Sequence, residues 1–150
     1  MDRKTKEIEK FDESGKFYGY ANVFNVEDSQ GDIVLNGAFS KTLRDARNIK
    51  LLFQHNPKDV MGQITLLRED VLGLYVEGRI HLEDQLGKNI YRYIQNDLLN
   101  GLSIGYSVND SSIDGRGRRL IKSLTLLEIS LVSSPANRFS KIIYCKSGSG

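Results

Sequence analysis

A chain of 150 residues, 39% hydrophobic and 27% charged, has the length and balance of one globular domain with a real core. No apolar run approaches the roughly 20 residues needed to span a bilayer, and no apolar signal core follows the charged N-terminus. A net charge of +2 makes no case for nucleic acid, and the single cysteine, Cys145, excludes an intramolecular disulfide.

Lys6 to Phe24 reads as a hairpin, with Ile8 and Phe11 leading into Glu13-Ser-Gly15 and Phe17 to Phe24 leading out. Glu27 to Asp32 is acidic, but it lacks the ligand spacing and closing glutamate of an EF-hand, so it reads as a turn, with a metal site a remote second choice. Asn36 caps a short helix carrying Phe39, Leu43 and Ala46 on one face and ending near Arg47-Asn48. The apolar run Ile49 to Phe53 is a buried strand whose end delivers His55. Gly62 to Leu67 and Leu74 to Ile80 read as paired strands, and His81 closes the second as a surface histidine.

Asp84 to Leu99 is predicted as the longest helix, with an apolar stripe of Leu86, Ile90, Tyr93 and Ile94 and a stop at Asn100-Gly101. Ser103 then enters a strand through Val108. Asn109 to Gly117 reads as a polar, flexible loop, and Arg116 to Arg119 as a solvated basic turn. Arg119 to Leu124 and Leu126 to Val132 are closing strands, Ser133 to Arg138 a loop, and Lys141 to Tyr144 a last short strand. Residues 1–146 are expected to form one domain, with 147–150 a linker-like tail. Many short strands, two helices and no βαβ rhythm point to an α+β, mainly antiparallel β-barrel flanked by helices.

Three polar residues stand out. Gly101-x-Ser103-x-Gly105 matches the bare pattern of a nucleophile elbow, but a helix precedes it and a strand follows, the reverse of what an elbow needs. Both histidines, His55 and His81, also lie before the serine. A nucleophilic serine does not depend on the elbow: it needs a base, for which His55 is the better candidate, and a group to orient that base. Glu128 sits in the apolar strand Leu126 to Val132, where a carboxylate is costly unless paired.

Four stretches occur in order: Asp32-Ile-Val-Leu-Asn-Gly-Ala-Phe39, Leu51-Leu-Phe-Gln-His55, Gly101-Leu-Ser-Ile-Gly-Tyr106 and Leu127-Glu-Ile-Ser-Leu-Val-Ser-Ser-Pro-Ala-Asn137. From about Tyr18 to Ile143 the chain resembles the prohead serine proteases of tailed bacteriophages, capsid-maturation enzymes similar in fold to herpesvirus assemblin. The resemblance implies a herpesvirus-protease-like barrel and a serine endopeptidase with Ser103 as nucleophile and His55 as base. Glu128 falls where assemblin has a second histidine. The loop after it would supply the oxyanion hole, mapped here to backbone N–H groups of Asn137 or Arg138. No cofactor or metal is implied. The implied substrates are the major capsid protein, scaffolding protein and the protease itself. The implied place of action is the assembling prohead in the bacterial cytoplasm, with no nucleic-acid or membrane partner and with room for self-association. Two other readings share these residues: a non-catalytic capsid-assembly module of the same fold, and an esterase or amidase acting on small molecules.

Overall fold

The computed structural model describes residues 14–45 and 49–145. Its elements are β1 (Lys16–Val23), β2 (Asp32–Val34), α1 (Ser40–Asp45), β3 (Lys50–Phe53), β4 (Asn56–Glu69), β5 (Gly73–Ile80), α2 (Gln85–Gln95), β6 (Gly101–Ile113), β7 (Arg119–Val132) and β8 (Lys141–Cys145). The sheet runs β2-β7-β3-β4-β5-β1-β8-β6, and a further β6–β7 pairing closes all but β2 into a barrel. Closure removes the unpaired edges that an open sheet would expose. The pairings are antiparallel except that β2 and β3 both lie parallel to β7, at opposite ends of the same long edge. The mainly antiparallel barrel expected from the sequence is the fold observed.

Alternation explains the strands. On β5, Leu74, Val76, Gly78 and Ile80 are buried, whereas Tyr75, Glu77 and Arg79 are only partly so. Leu51, Leu102, Ile121 and Ile129 join them in one core as fully buried side chains from three other strands, β3, β6 and β7. Completely burying a Leu or Ile side chain is worth about 1.5–3 kcal/mol, so this interior dominates the stability of the barrel.

Several boundaries differ from the sequence reading. The first arm of the N-terminal hairpin and the end of the short helix at residues 46–48 lie outside the described residues. Helix α2 stops at Gln95, not Leu99: Asn96 caps it, Asp97 takes a left-handed φ of 60°, and Gly101 already belongs to β6. Its buried face is Gly87, Ile90, Tyr91 and Ile94, while Leu86 and Tyr93 are 46% and 49% exposed. The reason is Gly87, where a Cβ would stand 1.8 Å from the His81 carbonyl oxygen. The helix rides so close to the end of β5 there that glycine defines the inner face. Asn109 to Ile113 are strand, not loop, because they pair with β7 through Ile113↔Arg119; Asp114 then closes the turn by accepting from the Arg116 and Arg118 N–H groups. The two closing strands are one continuous β7.

Candidate active site

The site is built where β3, β6 and the second half of β7 meet. Phe53 and Asn56 are cross-strand partners, so Gln54 and His55 form a two-residue hairpin loop between β3 and β4. Both have positive φ, 53° and 61°, the hand that matches strand twist in tight hairpins. Such loops favour Asn and Gly; an ordinary side chain there costs about 1–2 kcal/mol per residue. Contacts with β7 and the chain just beyond it hold the loop in place. Gln54 N–H donates to the Leu131 carbonyl at 2.9 Å, and the Gln54 side chain exchanges 3.3 Å hydrogen bonds with Ser133. The His55 N–H donates to Ser130 Oγ at 3.1 Å.

This loop turns the imidazole back onto β7. His55 Nδ1 lies 2.6 Å from Glu128 Oε2, and Ser130 Oγ donates to Glu128 Oε1 at 2.8 Å. A carboxylate accepts only, so the pairing places a proton on Nδ1 and leaves Nε2 of the neutral ring as the basic nitrogen. Glu128 thus has the partners its apolar strand demands, with 18% of its side chain exposed against 44% for His55.

Strand β6 brings the serine. Ser103 pairs with Ser130 and Gly105 with Glu128 across the β6–β7 ladder. Directly opposed residues share a face, so Ser103 and Gly105 lie on the face that carries Ser130 and Glu128. A Cβ on Gly105 would fall 2.3 Å from Glu128 Oε2, so the bare backbone there makes room for the carboxylate. His55 and Ser103 line one cavity of about 700 Å³, together with Gln54, Ser133 and Asn137. Among the described residues, the recorded hydrogen bonds of His55 run to Glu128 and Ser130, and none joins it to Ser103. Nucleophile–base bonds are often long without substrate and tighten when it binds.

The two residues expected at the oxyanion hole part company. Asn137 is buried and lines the cavity; its Nδ2 donates to the Val23 carbonyl at 2.9 Å, and its Oδ1 accepts from the Phe139 N–H. Arg138 is exposed, with its guanidinium 4.6 Å from the Phe139 ring centroid. Among the described residues, neither backbone N–H has a recorded acceptor in the protein. His81 stays away from the site, its N–H bonded to the Met61 carbonyl.

One cluster escaped the sequence reading. Asp32 is the first residue of β2, is buried, and accepts two hydrogen bonds from Arg119, Nε to Oδ1 and Nη2 to Oδ2, both at 2.9 Å. Tyr106 OH donates to the same carboxylate at 3.0 Å. Arg119 and Tyr106 hold the Asp32 carboxyl below the usual carboxylate range against the opposing effect of burial. Burial first, then the bond to Asp32, pushes the Tyr106 phenol up. Arg119 is therefore no solvated turn residue: Tyr106 and Arg119 line the same cavity as His55 and Ser103. The only sequence signal was an acidic residue opening a short apolar strand.

The closed barrel, in which Ser103 and the Glu128-bonded His55 line one cavity, shares its fold with known viral proteases. The fold is similar to the capsid assembly protease gp21 of bacteriophage T4, with a TM-score of 0.65 at 12% identity over 78% of this chain and 80% of that one. It is also similar to the KSHV protease solved with a hexapeptide phosphonate inhibitor, with a TM-score of 0.54 at 15% identity over 85% and 62% of the two chains. At these identities the likeness is one of fold. The chain belongs to the caudovirus prohead serine protease family, whose profile matches residues 1–149. It is 36% identical over 140 residues to the prohead protease of Enterobacteria phage HK97, covering 91% of this chain and 62% of that protein. It is 30% identical over 156 residues to the prohead protease of Escherichia phage T5, covering 100% and 73%. The chain therefore spans less than two thirds of the HK97 protein's length.

Proposed function

We propose that this chain is a serine endopeptidase of capsid maturation, working through Ser103, His55 and Glu128. The observation that carries the reading is the His55–Glu128 hydrogen bond of 2.6 Å, on a histidine that shares a cavity with Ser103. In the first half-reaction Ser103 Oγ attacks the peptide carbonyl while Nε2 of His55 takes its proton. Glu128 keeps the ring oriented and stabilises the imidazolium that forms. The tetrahedral intermediate collapses to an ester on Ser103, and the imidazolium gives its proton to the leaving amine. Water then repeats the sequence and frees the acid. The developing oxyanion needs fixed donors, and the backbone N–H groups of Asn137 and Arg138, without recorded acceptors among the described residues, are assigned that part.

The proposed substrates are scaffolding protein, the removable part of the major capsid protein, and the protease itself, cut inside the assembling prohead; membership of the prohead protease family supports them. Residues 1–146 act as one protease domain on this reading. The test is a labelled fluorophosphonate, which modifies only an activated serine. Wild type should label and Ser103→Ala should not, and the alanine variant should lose cleavage of capsid and scaffold proteins by roughly 10⁶-fold. A folded wild type that neither labels nor cleaves would leave the non-catalytic assembly module as the better reading. Turnover of small esters with no cleavage of any capsid protein would point to an esterase.

A further inference from the structure

Ser130 is fully buried, in a strand whose neighbours Ile129 and Leu131 are core residues. A hydroxyl in such a place needs partners, and any nearby carbonyl would serve. It uses two groups of the site instead: it donates to Glu128 Oε1 at 2.8 Å and accepts the His55 N–H at 3.1 Å. With Oε2 of the same carboxylate on His55 Nδ1, a closed ring of hydrogen bonds runs from the His55 backbone through Ser130 and Glu128 to the His55 ring.

We propose that Ser130 is a positioning residue that fixes the general base, holding the strained loop by its N–H and the orienting carboxylate by its second oxygen. The proposal rests on the reading of Ser103, His55 and Glu128 as a triad. Glu128 has a free rotation at its carboxyl group that one hydrogen bond does not stop; the second bond does. The His55 N–H lies at a tight turn, and Ser130 supplies the acceptor it uses there. Ser130 is also the cross-strand partner of Ser103. One hydroxyl therefore ties the base to the rung of the ladder that carries the nucleophile, and sets how far apart the two are held.

The test uses the whole chain and a rhodamine-tagged fluorophosphonate. Ser130→Ala should lower the maximal rate of Ser103 labelling by about 10²-fold, the cost of a base displaced by about an ångström. The concentration for half-maximal rate should stay within about twofold. The far-downfield NMR signal of the His55 Nδ1 proton should be present in wild type and lost in the variant, which a merely structural serine would not cause. Ser130→Thr keeps the hydroxyl and should restore both readouts to within about fivefold; a folded threonine variant that restores neither would assign the effect to packing and overturn the proposal. If Ser130→Ala does not fold, Ser130→Cys, close in size and a weak donor, is read in its place. Wild-type labelling and an unchanged proton signal in the folded variant would also overturn it. A wild-type chain that the probe does not label would sink the triad itself, while the imidazole signal would still decide the part given to Ser130.

Discussion

Gly105 and Glu128 face each other across the β6–β7 ladder, and the space a side chain on Gly105 would need is occupied by the carboxylate that holds His55. The second glycine of the Gly-x-Ser-x-Gly pattern thus makes room for the partner of His55 and is not part of a nucleophile elbow. A Cβ there would stand 2.3 Å from Oε2 and 2.8 Å from Cδ of Glu128. Because the obstacle is the end of a flexible side chain, the chain can still fold; what gives way is the contact with His55. Gly105→Ala should melt within a few degrees of wild type and label with a fluorophosphonate about 10²-fold more slowly. Labelling at the wild-type rate would show that Glu128 can move without consequence.

The loop that carries His55 should reveal its strain through a comparison of two variants. His55→Ala and His55→Gly lose the same imidazole, and only the backbone preference differs. At a φ of 61°, alanine is strained and glycine is not. His55→Gly should therefore be the more stable of the two by about 1 kcal/mol in urea unfolding, reversing the usual order of alanine over glycine. Equal stabilities would mean that the loop relaxes once the imidazole is gone.

Much of the candidate site was legible in the residues because each of its three proposed members breaks a local pattern. His55 ends an apolar run, Ser103 sits between glycines after a helix, and Glu128 interrupts an apolar strand. Ser130 was not legible: a small residue on a buried strand has no pattern to break. The loop geometry was also hidden, since Gln54-His55 contains neither of the residues that announce a left-handed turn, and its cause lies in bonds to β7 from outside the hairpin. Asp32 and Arg119 are 87 residues apart and meet only because β2 lies parallel to β7. The register of α2 turned on Gly87, whose role appears only once the helix is packed against the end of β5.

The Asp32–Arg119 pair makes a prediction in pH. The Asp32 carboxyl is held below its ordinary value, by Arg119 first. A group whose folded pKa is depressed adds stability that is fully present above its unfolded pKa, about 3.9, and is lost as pH falls through the folded value. Arg119→Ala should cost about 1–2 kcal/mol at pH 7, less than a fully buried pair because 42% of the arginine side chain is exposed. The difference from wild type should shrink as pH is lowered below about 4, since a neutral Asp32 needs no cation. Urea unfolding of both proteins at pH 7, 5 and 3 measures it. A cost independent of pH would mean that Arg119 contributes packing and not charge.

The most exposed step in the mechanism is the part given to Glu128, because a carboxylate on a mostly apolar strand also has a structural explanation. Glu128→Gln separates the two. The amide keeps the size of the side chain, has one oxygen left to accept from either Ser130 or His55 but not from both, and loses the charge. If Glu128 only satisfies Ser130 and fills its place on β7, the glutamine variant should change its melting temperature and label with a fluorophosphonate normally once folded. If it orients His55 and stabilises the imidazolium, melting should change little and turnover should fall by about 10²- to 10⁴-fold, less than for Ser103→Ala or His55→Ala. The fall should appear in kcat with KM nearly unchanged, since no substrate group is assigned to Glu128. His55→Ala combined with Glu128→Gln should be hardly worse than His55→Ala alone, because a carboxylate that acts through the imidazole has nothing left to act on. A folded Glu128→Gln protein with full activity would leave Ser103 and His55 as a dyad and remove the carboxylate from the chemistry.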